Sequence, residues 1–236
     1  MIPLDHRLRA YSRLSGNGLE IGAFNEPALV PAASSVKYFD FMDEKTAMGL
    51  FPEVDSSRLV HVDYIGDLDA GGLGQFGESS FDFVIINHVL EHVANPIGAI
   101  EGILRVIRAG GALALSIPDK RYTFDRGRAE TPFDHLWLDY ANGVKESSDE
   151  HYLDFFRSAA PHVFSEPAVN LPHHVARSRA RRDHAHVWTS EGFRAFLDTV
   201  FDRLGVKSRC LAESMAAENQ IEYFGLWEIS SKPPPA

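Results

Sequence analysis

The chain has 236 residues, of which 44% are hydrophobic and 24% charged, a composition ordinary for one folded globular domain. Its 23 basic and 33 acidic residues give a formal net charge of −10. Such a charge repels a phosphate backbone, which argues against nucleic acid as a partner. The single cysteine, Cys210, excludes an internal disulfide and a multi-cysteine metal site.

No apolar run approaches the roughly 18 residues that span a bilayer. The opening segment carries basic residues without the apolar core of a secretory signal. We therefore predict a cytoplasmic protein without an integral membrane segment, folded as a single domain over residues 1–236. The proline-rich tail 232–236 is expected to fray, and the sequence does not define an oligomeric state.

Short apolar segments alternate with a helical pattern through the first half of the chain. Strands are predicted at 18–21, 36–39, 59–65, 81–86 and 112–117. A helix is predicted at 96–108, where isoleucine and leucine recur at helical spacing before Ala109-Gly110-Gly111. This alternation indicates an α/β fold with a doubly wound, mainly parallel sheet covered on both faces.

The pattern changes after Pro118. Residues 119–183 are rich in charge, proline, histidine and aromatics, with helical stretches only at 133–140 and 150–157. A helix capped by Thr189 and two strands near 206–211 and 222–229 follow. Segment 119–183 is too long for a passive loop, so we predict an inserted helical lid.

Ligands of open α/β sheets bind beyond the carboxyl ends of the strands. The residues there are Glu20, Gly22, Asp40, Asp67, Asn87 and His88. A glycine permits close approach of the backbone to a ligand, while acids can accept from ribose hydroxyls or an adenine amino group. Neither a GxGxxG motif nor a lysine-bearing phosphate loop is present, which argues against a dinucleotide or nucleoside triphosphate.

Five ordered segments resemble class I S-adenosylmethionine-dependent methyltransferases. They are LEIGAFNEP (19–27), KYFDFMD (37–43), VDYIGDLD (62–69), FDFVIINHVLEHVANP (81–96) and VIRAGGALALSIPDKRYTFD (106–125). The resemblance is to the bacterial branch often encoded among glycosyltransferases and surface-polysaccharide enzymes. It implies a Rossmann-like sheet of seven strands with the last antiparallel, and S-adenosylmethionine as the cofactor.

The same resemblance assigns residues to parts of the cofactor. They are Gly22 and the loop Ala23-Phe24-Asn25 for the methionine part, Asp40 for the ribose, Asp67 and Leu68 for the adenine, and Asn87 and His88 for the pocket floor. It also places the start of the helix after the fourth strand at Leu90-Glu91-His92. One departure is that the usual glycine-rich loop retains only Gly22.

Methyl transfer to a hydroxyl requires an aligned acceptor and a base near the sulfonium. Seven of the eleven histidines fall within the inserted segment or at its exit, and histidine titrates near neutral pH. We predict His186 as the base because Val187 and Trp188 anchor it, with Asp119 and His135 as the next candidates. A metal set of His184, His186 and Asp119 is an alternative, but the spacing is not diagnostic and no metal site is predicted.

The arginines at 177, 179, 181 and 182 form either a solvated helix face or a clamp for the diphosphate of a nucleotide sugar. The predicted reaction is methyl transfer to a hydroxyl of a small-molecule or glycan-type acceptor. Two alternatives stay open. One is a methyltransferase acting on a non-sugar metabolite or a peptide, and the other is a catalytically silent cofactor-binding scaffold, which the single loop glycine favours.

Overall fold

The computed structural model describes residues 4–231, so the tail 232–236 lies outside the described part. Its strands are β1 (Asn17–Ile21), β2 (Ser35–Asp40), β3 (Tyr64–Ile65), β4 (Phe81–Asn87), β5 (Ile107–Pro118), β6 (Lys207–Ser214) and β7 (Glu222–Ser231). Its helices are α1 (Asp5–Tyr11), α2 (Glu44–Leu50), α3 (Pro96–Val106), α4 (Phe133–Ala141), α5 (Asp149–Ala159), α6 (Leu171–Arg181), α7 (Ser190–Arg203) and α8 (Ala216–Asn219).

The seven strands form one sheet in the order β3-β2-β1-β4-β5-β7-β6. The pairs from β3 to β5 are parallel, whereas β7 runs antiparallel to both β5 and β6. Strand order reverses between β1 and β4, which opens a crevice at their carboxyl ends. The predicted class I methyltransferase fold, with seven strands and an antiparallel last strand, is confirmed.

Apolar side chains fill both faces of the sheet. One cluster joins β1, β4 and β5 to α3 and α7, and includes Ile97, Ile100 and Leu197. The other cluster joins the opposite face to α1, where Tyr11 packs edge-on against Phe224 at 5.8 Å between ring centroids. Burial on both faces explains why these strands read as continuous apolar runs.

The element boundaries differ most from the sequence prediction at the third strand and at the junction of α3 and β5. The third strand was predicted at 59–65, but only Tyr64–Ile65 pairs with β2. The helix ends at Val106 rather than 108, because Ile107 already begins β5. Gly110 has φ +74°, and the β4–β5 register shifts nearby, so the glycine pair serves a bulge in a strand and not a helix end.

The segment 119–183 contains α4, α5 and α6, of which α6 was not predicted. It has a small core of its own, formed by Tyr152, Phe156, Val163 and Val175. Its two ends lie side by side, since Asp119 and Trp188 form a parallel bridge. Among the helices of residues 4–231, none is long and apolar enough to cross a membrane.

Candidate functional site

A cavity of about 220 Å³ lies at the carboxyl ends of β1, β2 and β4. Five of the nine residues predicted to bind the cofactor line it: Gly22, Phe24, Asp40, Leu68 and His88. Its wall is completed by Phe39, Phe41, Phe51, His92 and by Arg181, Arg182 and Asp183 from the end of the inserted segment. The cavity is mainly apolar with a few polar groups, as small-molecule sites usually are.

The backbone is constrained around this cavity. Gly22 has φ +68°, and a Cβ on it would lie 2.4 Å from Val89 Cγ2, so only glycine fits here. Five non-glycine residues in the described part have positive φ, and three of them, Phe24, His88 and Arg182, line the cavity. Strained backbone of this kind concentrates at functional sites, which supports the assignment of the cavity.

Asp40 ends β2 with its carboxyl group at the cavity. It is 8% exposed, and one oxygen accepts a hydrogen bond from the N–H of Phe41 at 2.7 Å. Burial raises the pKa of Asp40 to about 6. The N–H of Met42 also contacts this carboxylate, and no side chain within residues 4–231 hydrogen-bonds it, which suits a carboxylate that accepts from ribose hydroxyls.

Glu20 and Ala23, which were also predicted to bind the cofactor, are not among the residues that line this cavity. Both carboxylate oxygens of Glu20 accept from the N–H of Ala28, at 3.0 and 3.1 Å. Glu20 is 2% exposed, and burial raises its pKa to about 7. Through this contact with Ala28, Glu20 stabilises the loop that follows Gly22.

Asp67 is also absent from the cavity wall, although the adjoining Leu68 lines it. Its carboxylate forms an ion pair with Arg182, which lies 3.5 Å from Asp69 as well. The Arg182 guanidinium also stacks over the Phe41 ring at 4.7 Å. Asp67, predicted to contact the adenine, thus joins the core to the inserted segment in this structure.

His88 reaches the cavity and is held from behind by a buried carboxylate. Its Nε2 lies 2.6 Å from Glu222 Oε2, and Glu222 is fully buried on β7. Arg7 and His6 of α1 also bond Glu222, with Arg7 Nε at 2.7 Å. Burial opposes ionisation of Glu222, but the hydrogen bonds from Arg7, His6 and His88 hold its pKa well below the usual range.

A second cavity, of about 420 Å³, lies between α1 and the loop that follows β1. Asn87 lines it, not the first cavity, and donates to the Tyr11 hydroxyl at 2.9 Å. Its other polar lining residues are Arg7, Asn25, Glu26 and Arg58. Because His88 follows Asn87 directly, one short turn contributes to both cavities.

A buried cluster lies behind the first cavity. His92 lines the cavity, and burial lowers its pKa to about 3, so the imidazole is neutral. Its neighbour Glu91 is fully buried with neither carboxylate oxygen hydrogen-bonded, and burial raises its pKa. His184 Nδ1 lies 2.6 Å from Asp125, an interaction that raises the His184 pKa despite burial. The helix predicted to start at residues 90–92 starts instead at Pro96, capped by Asn95.

The three residues predicted as catalytic, His186, Asp119 and His135, do not line the cavity. His186 is 1% exposed, and burial next to His151 lowers its pKa to about 3. His135 lies on α4 beside His151, with 3.1 Å between their Nε2 atoms.

Asp119 is fully buried and has a structural role. It accepts from the N–H and hydroxyl of Ser190 at 2.7 and 2.8 Å and forms an ion pair with Arg121. Burial opposes ionisation, but these contacts lower the Asp119 pKa to about 2. The alternative metal set is not assembled either, since His184 and His186 belong to separate clusters and Asp119 to neither.

Three of the four clustered arginines form ion pairs within the protein, which neither alternative drawn from the sequence described. Arg179 pairs with Asp149 and stacks on Tyr152, while Arg181 pairs with Glu53 and stacks on Phe51. Arg182 pairs with Asp67, as described above. Arg179, Arg181 and Arg182 therefore join the inserted segment to itself and to the core, whereas Arg177 is exposed.

Comparisons with known proteins agree with this geometry. Residues 45–115 match the model of a family described as "Methyltransferase domain". A comparison with curated protein sequences finds no significant match. A solved structure from Rhodobacter sphaeroides, named as a candidate Zn-dependent alcohol dehydrogenase, is similar at 16% identity and a TM-score of 0.52, over 96% of this chain and 89% of that one.

Two further solved structures resemble the chain. One is the CurJ carbon methyltransferase, at 16% identity, a TM-score of 0.48 and coverage of 92% of this chain and 49% of that one. The other is the trans-methyltransferase CalH in complex with SAH, at 16% identity, a TM-score of 0.47 and coverage of 95% and 54%. This chain spans about half the length of the CurJ and CalH chains.

The matched segment and the strand order point to the same class of fold. Residues 45–115 match a methyltransferase domain model, and the sheet has the strand order of the class I methyltransferase fold, for which the sequence resemblance implies S-adenosylmethionine as the cofactor. The cavity fits this cofactor, because it offers apolar walls, one buried carboxylate at Asp40 and an open backbone at Gly22.

Sequence reasoning missed the contribution of Glu222, Arg7 and Tyr11 to this region. A glutamate at the first position of a buried strand was a usable signal, because a buried carboxylate requires a partner. The arginine and tyrosine of α1 gave no comparable signal, since α1 is only seven residues long.

Proposed function

We propose that the chain transfers the methyl group of S-adenosylmethionine to a hydroxyl of a sugar or glycan-type acceptor, with His88 as the general base. The contact between His88 and Glu222 carries this proposal. Bound S-adenosylmethionine supplies an activated methyl group. Transfer breaks its carbon–sulfur bond and forms a carbon–oxygen bond, and the hydroxyl proton passes to His88.

The arrangement of His88 suits a base. Its Nε2–H donates to Glu222, so Nδ1 carries the lone pair that can accept a proton. A buried carboxylate that fixes the tautomer of a histidine and stabilises its charged form is a recurring device in general-base catalysis. The His88 side chain is 33% exposed, so an acceptor can reach it.

The second cavity supports the acceptor class. It combines hydrogen-bonding side chains, such as Arg7, Asn25 and Asn87, with apolar side chains, such as Leu8 and Leu29. A sugar presents both hydroxyl groups and apolar ring faces, and therefore requires both kinds of contact. Asn87, which lines this cavity, directly precedes His88 in the chain, which would bring an acceptor near the base.

The setting of the reaction is part of the same proposal. We assign the chain to a cytoplasmic step of polysaccharide biosynthesis, in keeping with its resemblance to methyltransferases encoded among glycosyltransferases. A net charge of −10 supports a small-molecule or glycan partner over nucleic acid.

The test compares turnover and cofactor binding in one set of variants. His88→Asn should lower turnover on a panel of glycans and nucleotide sugars by about 10²–10⁴-fold and leave S-adenosylmethionine affinity within a few-fold. His61→Asn is the matched control, because His61 is an exposed histidine paired only with Glu44. Full turnover in His88→Asn contradicts the base assignment.

The panel also separates the alternative functions. Methylation of peptides or non-sugar metabolites alone contradicts the acceptor class. Cofactor binding by calorimetry without turnover on any acceptor class contradicts catalysis and favours a scaffold.

A further inference from the structure

We infer that His135, His151 and His186 form a binding site for a divalent transition metal of the zinc class, separate from the cofactor cavity. One ring nitrogen of each residue lies within 4.8 Å of those of the other two. None of the three lines the cavity. The inference does not rest on the proposed function.

The spacing of the nitrogens is close to that of a zinc site. Zn–N bonds of 2.0–2.1 Å in a tetrahedral site place the ligand nitrogens about 3.3 Å apart. The Nε2 atoms of His135 and His151 are already 3.1 Å apart. The ligand nitrogen of His186 lies within 4.8 Å of both. A side-chain rotation that moves it by about 1.5 Å would bring it to the spacing of a zinc site.

Hydrogen bonds on the outer side of the rings direct lone pairs toward the centre. His151 Nδ1 lies 2.9 Å from the Ser148 hydroxyl, which leaves Nε2 facing His135. His186 Nε2 faces the Ala94 carbonyl at 3.4 Å, which leaves Nδ1 as the nitrogen without a proton. Metal-binding histidines show this pattern, with a carbonyl or hydroxyl fixing the ring from behind.

His186 Nδ1 provides a second, independent observation. The residue is 1% exposed, and this nitrogen has no hydrogen-bond partner within the described residues. A buried polar atom without a partner is costly, and a metal ion would compensate it. The His135 side chain is 40% exposed, so an ion can enter at the rim.

The surrounding charges are compatible with a cation. Asp139 Oδ2 lies 3.2 Å from His135 Nε2 and brings a negative charge to the rim. Arg128 is nearby, but its charge is already paired with Asp125 and Asp154 at 2.8 and 2.7 Å. An ion bound here would join α4, α5 and the stretch after α6, and so hold the inserted segment together.

A second group of residues was the competing candidate. Glu91, His92 and His184 also lie close together, but His92 Nε2 is 3.8 Å from Glu91 Oε1 and His184 is already paired with Asp125. The three-histidine set needs less rearrangement, so the inference is placed there.

The test measures Co²⁺ and Zn²⁺ binding by the full chain after dialysis against a chelator. We expect one Co²⁺ per chain, with visible absorption bands typical of a tetrahedral site that Zn²⁺ removes by competition. His135→Gln and His151→Gln should each weaken binding more than about a hundredfold, and Ser148→Ala about ten- to a hundredfold, as the loss of an outer contact does. His162→Gln, an exposed histidine of the same segment, is the control and should bind normally.

Thermal melting provides the second measurement, because a ligand that binds only the folded state raises its stability. Zn²⁺ should raise the melting temperature of the unmodified chain and of His162→Gln, but not of His135→Gln. His135→Gln and His162→Gln replace side chains that are at least partly exposed, so both variants should fold without metal. Circular dichroism of the metal-free proteins checks this. Three results would overturn the assignment. The unmodified chain could give no cobalt spectrum, His135→Gln and His151→Gln could retain it, or only His184→Gln could lose it.

Discussion

Two carboxylates beside the cavities have pKa values displaced in opposite directions. Burial dominates at Asp40 and raises its pKa to about 6, whereas three cationic or donor partners dominate at Glu222 and lower its pKa. The same functional group, a carboxylate, therefore has two roles here. Asp40 is available to a ligand, and Glu222 is held in place by the protein.

Cofactor affinity should depend on pH through Asp40. The ionised carboxylate accepts from ribose hydroxyls, so affinity should fall as the pH drops through about 6 and the group is protonated. At pH 8, Asp40→Asn should weaken S-adenosylmethionine binding about tenfold or more, as the loss of a charge-assisted hydrogen bond does. In this variant the fall near pH 6 should disappear.

Calorimetric titrations at pH 5.5, 7 and 8 measure both effects. Glu78→Gln, an exposed carboxylate away from the cavity, is the control and should keep the pH dependence of the unmodified chain. Equal affinity of Asp40→Asn and the unmodified chain at pH 8 would contradict the assignment of the ribose contact.

Removal of the Glu222 charge should destabilise the protein. Because its folded-state pKa is lowered, its contribution to the free energy of unfolding is present above the unfolded pKa of about 4.3 and is lost as the pH falls toward the folded value. Glu222→Gln leaves Arg7 without its charged partner in a buried site, which should cost about 3 kcal/mol at pH 7.

Urea unfolding at pH 7 and pH 3.5 measures this difference, which should shrink at the lower pH. Glu228→Gln is the matched control on the same strand, since Glu228 is partly exposed and pairs with the exposed Arg209. A loss of stability in Glu222→Gln no larger than in Glu228→Gln would refute the buried ion pair.

At the scale of elements, the inserted segment meets the core through arginines near the end of α6. Arg181 and Arg182 each combine an ion pair with a ring contact on the core side. Because these residues also line the cofactor cavity, the position of the segment and the shape of the cavity are linked. We propose that the segment is a lid that is more ordered when cofactor is bound.

Loss of one arginine contact should loosen the lid. Arg182→Ala removes the contacts with Asp67 and Phe41, so limited proteolysis should cut within residues 119–183 several-fold faster than in the unmodified chain. Added S-adenosylmethionine should slow cleavage of the unmodified chain. Arg177→Ala, on the exposed side of α6, should behave like the unmodified chain. Cleavage that is equal in all three proteins, with and without cofactor, speaks against a lid.

At the scale of the whole molecule, most of the sheet could be predicted from the sequence, but β3 and much of the inserted segment could not. Strands buried on both faces give long apolar runs, so β1, β4 and the second half of β5 could be placed from sequence within a few residues. β3 has only two paired residues, too few for any periodicity. Helix α6 carries mostly polar residues and packs on a small local core, so its pattern is weak.

Some residues of the candidate site could likewise be predicted from the sequence, and others could not. Gly22, Asp40 and His88 follow buried strands, so the ends of those strands predict their place at the cavity. The partner of His88 comes from β7, 134 residues further along the chain, and no local pattern encodes that pairing. His186 was predicted as a base because it is anchored, but the same anchoring buries it away from the cavity.

The position of β7 between β5 and β6 also bears on how the protein is made. A ribosome releases β6 before β7, yet β6 pairs only with β7, so it has no place in the sheet until the last strand emerges. During that interval the long edge of β5 is unpaired and apolar, which is the state in which chains bind chaperones or associate with one another. Translation that stalls before residue 222 would therefore leave a chain with an open sheet edge, and the cell's quality-control machinery would meet this protein chiefly at that stage.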